Sequence, residues 1–115
     1  MTLGPLLDHT AAKHDILRFH LKAWFPILGQ AFPQSSLQYI DGFCGPGEYE
    51  GGEDGSPILA LKEIRAHAYL EKFIGAHRRL KFMFIDKDDV FIDNLNSKIS
   101  AATWPMEFDI LRSRQ

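Results

Sequence analysis

The chain has 115 residues, 45% hydrophobic and 24% charged, which excludes a disordered, fibrous or disulfide-built protein and leaves room for one globular unit. Thirteen Lys and Arg against fifteen Asp and Glu give a net charge of −2, too little to draw in a polyanion, so nucleic acid is not indicated as a partner. The single cysteine, Cys44, cannot bridge internally, Met1 to Leu7 lack the basic and apolar parts of a signal peptide, and no apolar run approaches the roughly 18 residues of a membrane span; a reducing, cytoplasmic setting with no membrane contact follows as the expectation.

From Ala11 to Leu28 the residues Leu17, Leu21, Trp24 and Leu28 recur at steps of 4, 3 and 4, with Ile16 and Ile27 beside them, which predicts a leading helix over 11–28. Thr10 is placed to cap it, and Pro26 predicts a kink or restart near Phe25. Gln30 to Ser36 reads as a connector. Leu37 to Ile40 then forms a short strand ending at Asp41. Ser56 as N-cap and Pro57 at the first helical position open a second helix with Ile58, Leu61, Ile64 and Ala68 on one side.

Gly75 breaks that pattern. His77, Arg78, Arg79 and Lys81 read as a solvated basic stretch before the apolar run Lys81 to Ile85, which Asp86 closes and which suits a strand buried on both faces. Asp88 or Asp89 caps a further helix using Val90, Ile92, Leu95 and Ile99. Beyond Trp104 and Pro105, Met106 to Leu111 is expected as a last strand. The order helix, strand, glycine loop, helix, strand, helix, strand argues for an α/β fold with a parallel sheet and crossover helices.

Between the first strand and the second helix lies Asp41-Gly42-Phe43-Cys44-Gly45-Pro46-Gly47, the context a nucleotide-binding loop requires. Gly45 and Gly47 lack side chains, so the backbone can turn sharply and let a ligand approach. Asp41 can accept hydrogen bonds from that ligand. Phe43 stands where dinucleotide dehydrogenases have their first glycine, and the neighbours Glu48, Glu50, Glu53 and Asp54 are acidic without a base among them. Both features fit a cationic sulfonium better than a pyrophosphate. Asp86, at the end of the next strand, sits where such folds bind ribose hydroxyls, although it lies beyond the usual ~20-residue spacing.

Tyr39 to Tyr49 followed by Gly55 to Leu61 resembles the cofactor-loop region of three-Cys-motif partner proteins, and His9 to Leu17 with Ala23 to Leu28 is similar to the same family's leading helix. The resemblance runs from about His9 to Asp86, less securely to Asp109. It implies a Rossmann-like methyltransferase fold that binds S-adenosylmethionine through Asp41, Gly42, Phe43, Gly45, Pro46, Gly47 and Asp86. On this reading residues 1–115 are the N-terminal part of one such domain, truncated to about three strands. No Asp-Pro-Pro-Tyr or Asn-Pro-Pro-Tyr element occurs in the sequence, so no catalytic residue carries over and the chain is expected to be weak as an enzyme.

Two other readings stand beside it: a non-catalytic module acting with a partner, for which the family's name points to a three-Cys-motif protein, and an NAD-type nucleotide-binding fold. An unpaired strand edge and an uncovered sheet face would favour self-association or aggregation. The histidines, His9, His14, His67 and His77 among them, lack the spacing of a metal site. Lys13 and His14 are expected on a solvated helix face, Cys44 as a small filler, and the loop 48–55 either as a mobile lid or as a solvated surface loop.

Overall fold

The computed structural model describes residues 4–114; the side chain of His9, and Met1 to Leu3 of the segment read for targeting signals, lie outside the described residues. The chain runs α1 (Asp8–Ala31), β1 (Leu37–Asp41), α2 (Ser56–Arg65), α3 (Leu70–Gly75), β2 (Leu80–Asp86), α4 (Asp89–Ser100) and β3 (Phe108–Arg114). The strands form one parallel sheet in the order β1-β2-β3, with Tyr39 opposite Phe82 and Phe82 opposite Ile110. The result is a mixed α/β arrangement with helices flanking a parallel sheet, compatible with a Rossmann-like one. No helix among the described residues is long and apolar enough to cross a membrane.

The core lies between the helices and one sheet face. Leu21 and Phe25 of α1, Ile58, Leu61 and Ile64 of α2, and Phe73 of α3 are buried with Leu80, Phe82 and Phe84 of β2 and Leu95 of α4. Successive strand side chains point to opposite faces, and in β2 only the Leu80, Phe82 and Phe84 set is fully buried. The row opposite, Ile40, Met83 and Leu111, is joined by register, yet Ile40 is 58% and Leu111 42% exposed. The expectation of a strand buried on both faces is therefore corrected: helices cover one face only.

Helix α1 is longer than 11–28 and starts without a side-chain cap, with Leu7 at the N-cap position and Thr10 already inside. Ile16 and Ile27 are exposed, and the fully buried residues on the packing face are Leu21 and Phe25. Pro26 neither ends nor restarts the helix. Its missing N–H would have bonded the carbonyl four residues back, at Lys22. That carbonyl instead accepts from His67 Nε2 at 2.9 Å, while His67 Nδ1 accepts from the Tyr69 N–H at 3.0 Å. A side chain from the α2–α3 connection thus replaces the lost backbone bond.

The second helix ends at Arg65, so Ala68 lies outside it, and Leu70–Gly75 forms a separate short helix. Gly55, not Ser56, occupies the N-cap of α2. Asp88 caps α4 by accepting from Val90 N at 2.9 Å. The last strand, Phe108–Arg114, lies slightly later than Met106 to Leu111; Arg79, just ahead of β2, donates to Met106 O before the strand and to the Asp109 carboxylate within it.

Arg78 also departs from the solvated stretch expected for it. It is buried, stacked over the Phe73 ring at 4.3 Å, and donates to the carbonyls of Gly29 (2.9 Å), Phe32 (2.7 Å) and Ser35 (2.8 Å) and to the Tyr69 hydroxyl (3.3 Å). A guanidinium at the unsatisfied carbonyls of a helix C-terminus is favoured by both hydrogen bonding and the helix dipole.

Candidate functional site

The carboxyl ends of β1 and β2 lie side by side, and the segments that follow them interlock. Cys44 N donates to Ile85 O at 3.0 Å, continuing the strand pairing past Asp41. Gly45 N then donates to Asp86 Oδ2 at 3.0 Å, and Asp88 N to Asp86 Oδ1 at 2.9 Å. Asp41 is held as well, accepting from Phe43 N (3.2 Å) through Oδ1 and from Ser56 Oγ (3.2 Å) through Oδ2. The two carboxylates therefore sit at one edge of the sheet, oriented by backbone and hydroxyl donors. Among the described residues neither is ion-paired.

The loop residues divide into two groups. Gly42 and Gly45 border open space, with no atom within 4 Å of where a Cβ would stand, and Gly45 has φ +70°, a conformation that L side chains seldom adopt. Phe43 projects outward and is 85% exposed. Pro46 and Gly47 turn inward and are buried. A Cβ on Gly47 would lie 2.9 Å from Leu95 Cα, and one on Gly55 would lie 1.9 Å from Pro46 O. The bare Cα of Gly47 thus admits the close approach of helix α4, where open space for a ligand was expected.

Cys44 is buried with its Sγ 3.4 Å from Gly45 O. Burial pushes its thiol up to about 12, and the charges of Asp41 and Asp86 add to the effect. A thiol so far from ionising at neutral pH is a poor nucleophile, in line with a filler.

The acidic loop 48–55 is a tight hairpin: Tyr49 N donates to Glu53 O (2.8 Å), Gly55 N to Gly47 O (2.9 Å), and Glu48 bridges Asp54. Bases absent from the loop's own sequence arrive from the helices. Lys62 of α2 reaches Asp54 at 2.7 Å, and Lys98 of α4 lies 3.1 Å from Glu48. Asn94 accepts from Glu48 N at 2.8 Å. His14, expected in solvent, is buried and packs on the Tyr49 ring with centroids 5.9 Å apart; Lys13 is exposed. Burial, and then Arg18, lower the His14 pKa, with Asp15 opposing.

Two concavities flank these elements. A cleft of about 280 Å³ opens between α1 and the hairpin, lined by His14, Asp15, Arg18, Glu53 and Asp54 among others. A shallower basin of about 450 Å³ is lined by Lys87, Asp88, Asp89 and Val90, directly after Asp86. Among the described residues no group of three or more His, Cys, Asp or Glu gathers as metal ligands would.

The structure therefore brings Asp41, Gly42, Phe43, Gly45 and Asp86 together at one edge and draws Pro46 and Gly47 into the interior. Sequence reasoning missed Ser56 as a second holder of Asp41, although its position before Pro57 marked it as a polar residue at a helix start. It had no signal for Asn94 or Lys98, whose partners lie 46 and 50 residues away. No protein-family model matches the chain, and no curated protein or solved structure matches it either.

Proposed function

We propose that the carboxyl edge between β1 and β2 binds S-adenosylmethionine, and that the chain is the cofactor-holding part of a Rossmann-like methyltransferase domain of the three-Cys-motif partner kind. The observation that carries the reading is the hydrogen bond from Gly45 N to Asp86 Oδ2 at 3.0 Å, which joins the glycine loop to the acidic residue of the next strand. A carboxylate has about four acceptor sites, and Asp86 uses two on backbone N–H groups. The remaining lone pairs suit the vicinal hydroxyls of a ribose.

Other features of the edge support the same ligand. Open space at Gly42 and Gly45 allows a flat or extended group to lie against main chain. Two carboxylates without cationic partners favour a positively charged sulfonium and disfavour a pyrophosphate. The exposed Phe43 ring offers an apolar surface of the size of a nucleobase. When bound, the cofactor supplies an already activated methyl group; the residues named here orient it, and none of them acts on an acceptor. Binding without methyl transfer is the expected activity of these 115 residues.

Isothermal titration with S-adenosylmethionine and S-adenosylhomocysteine tests the proposal. Saturable binding is expected that NAD does not displace and that Asp86→Asn weakens about tenfold or more. Absence of binding by a folded chain, or equal displacement by NAD, would count against it.

A second reading, a module that docks on another protein, is favoured by the bare sheet face of Ile40, Met83 and Leu111. A three-Cys-motif protein is the partner it would take. Ile40→Lys with Leu111→Lys would then abolish the association while leaving cofactor titration unchanged.

A further inference from the structure

Helix α1 is apolar on two opposite sides, and only one is used within the chain. His14, Leu17, Leu21, Phe25 and Leu28 turn toward α2 and the core. On the far side Ala12, Ile16, Phe19, Ala23 and Ile27 follow one another at steps of 4, 3, 4 and 4, which aligns them in a single stripe. Ile16 is 69%, Phe19 78% and Ile27 64% exposed, and the two alanines are exposed as well. A surface helix normally turns polar residues outward, so a continuous apolar stripe along a helix about 36 Å long marks a contact surface.

We propose that this stripe docks on the same stripe of a second copy of the chain, with the two α1 helices antiparallel about a two-fold axis at Phe19. Two properties of the stripe select that occupant and that direction. The first is shape. With Phe19 on the axis against its own copy, Ile16 falls opposite Ala23 of the partner subunit and Ala12 opposite Ile27 of the partner subunit, so on either side of the Phe19 pair a large side chain meets a small one, as close packing of helices favours.

The second is charge. Asp15 and Lys22 lie on the same flank of the stripe and are both exposed. The antiparallel arrangement sets Asp15 at the height of Lys22 of the partner subunit, within about one residue's rise, and symmetry repeats the pair. A parallel two-fold arrangement would turn this flank toward the opposite flank of the other copy and leave Asp15 and Lys22 seven residues apart along the axis, so it makes no such pair. Within one chain Asp15 pairs with Arg18 in its own turn and Lys22 lies 3.6 Å from Glu63, so the contact would join two existing pairs into a network of alternating charge. An isologous contact of this kind closes as a dimer and leaves no open stripe for further copies. It involves neither the carboxyl edge nor the bare sheet face, and it stands apart from the cofactor proposal.

Sedimentation of the intact chain from low micromolar to near-millimolar concentration provides the test. A monomer–dimer equilibrium is expected, weakened about thirtyfold or more by Phe19→Asp with the circular dichroism and thermal melt unchanged. Asp15→Lys should weaken it, and the double change Asp15→Lys with Lys22→Asp should restore it. Phe19→Cys should form a disulfide-linked dimer on oxidation, because position 19 meets itself on the axis and Cys44 is buried. A chain that stays monomeric throughout, or a dimer that survives Phe19→Asp and dissolves with Ile40→Lys and Leu111→Lys, overturns the proposal.

Discussion

Gly45 and Gly47 stand two positions apart in the same loop and are glycines for different reasons. At Gly45 the obstacle is the backbone: φ is +70° and nothing stands within 4 Å of a Cβ. At Gly47 the backbone is ordinary and the obstacle is Leu95 Cα, 2.9 Å from that Cβ. Gly45→Ala should cost about 1–2 kcal/mol through strain alone, and Gly45→Asn less, since Asn tolerates this region. Gly47→Ala should cost about 1–3 kcal/mol by overpacking. Chemical denaturation checks the magnitudes. Amide chemical shifts separate the causes, because only Gly47→Ala should move the resonances of α4. The glycine pattern was legible in the sequence, but which glycine served the loop and which the helix depended on a neighbour 48 residues on.

At the scale of elements, the strands, the order of helices and the Asp88 cap were readable because each rests on residues close in sequence. Helix α1 was misread where its stability comes from a distance. Pro26 is tolerated because His67 donates to Lys22 O across 45 residues. A double-mutant cycle tests this relation. His67→Ala should destabilise the wild-type chain by about 1 kcal/mol more than it does a chain carrying Pro26→Ala, where the backbone bond is restored.

The contact of α1 with the acidic hairpin is expected to depend on pH through His14. His14 has a folded pKa below its ordinary 6.5. As pH falls through 6.5 the unfolded chain therefore binds the proton before the folded one does, and stability declines with falling pH until the lower folded value is reached. Thermal melts between neutral and mildly acidic pH should show that decline, and His14→Phe should flatten it.

For the whole molecule, the sheet is covered by helices on one face and open on the other, with β1 and β3 as its edge strands among the described residues. The composition and the element order announced a parallel α/β sheet. They did not announce how little of β2's far face is covered, because an apolar run reads alike whether one or both of its sides are buried. The burial of Arg78 was hidden for a related reason. Its sequence neighbours are basic and polar, and its four acceptors belong to segments 9 to 49 residues away.

That arginine also bears on how the chain opens. It lies two residues before β2, the central strand, and holds the end of α1 and the turn after it through the carbonyls of Gly29, Phe32 and Ser35. The end of a helix ordinarily frays alone, exchanging its amide hydrogens without disturbing the rest. Here the last turn of α1 cannot unwind without pulling the guanidinium away from Phe73 and loosening the entry to the central strand. The amides of Gln30 to Phe32 should therefore exchange with the slow cooperative unit that contains β2, so that α1 completes its folding only once residue 78 is in place.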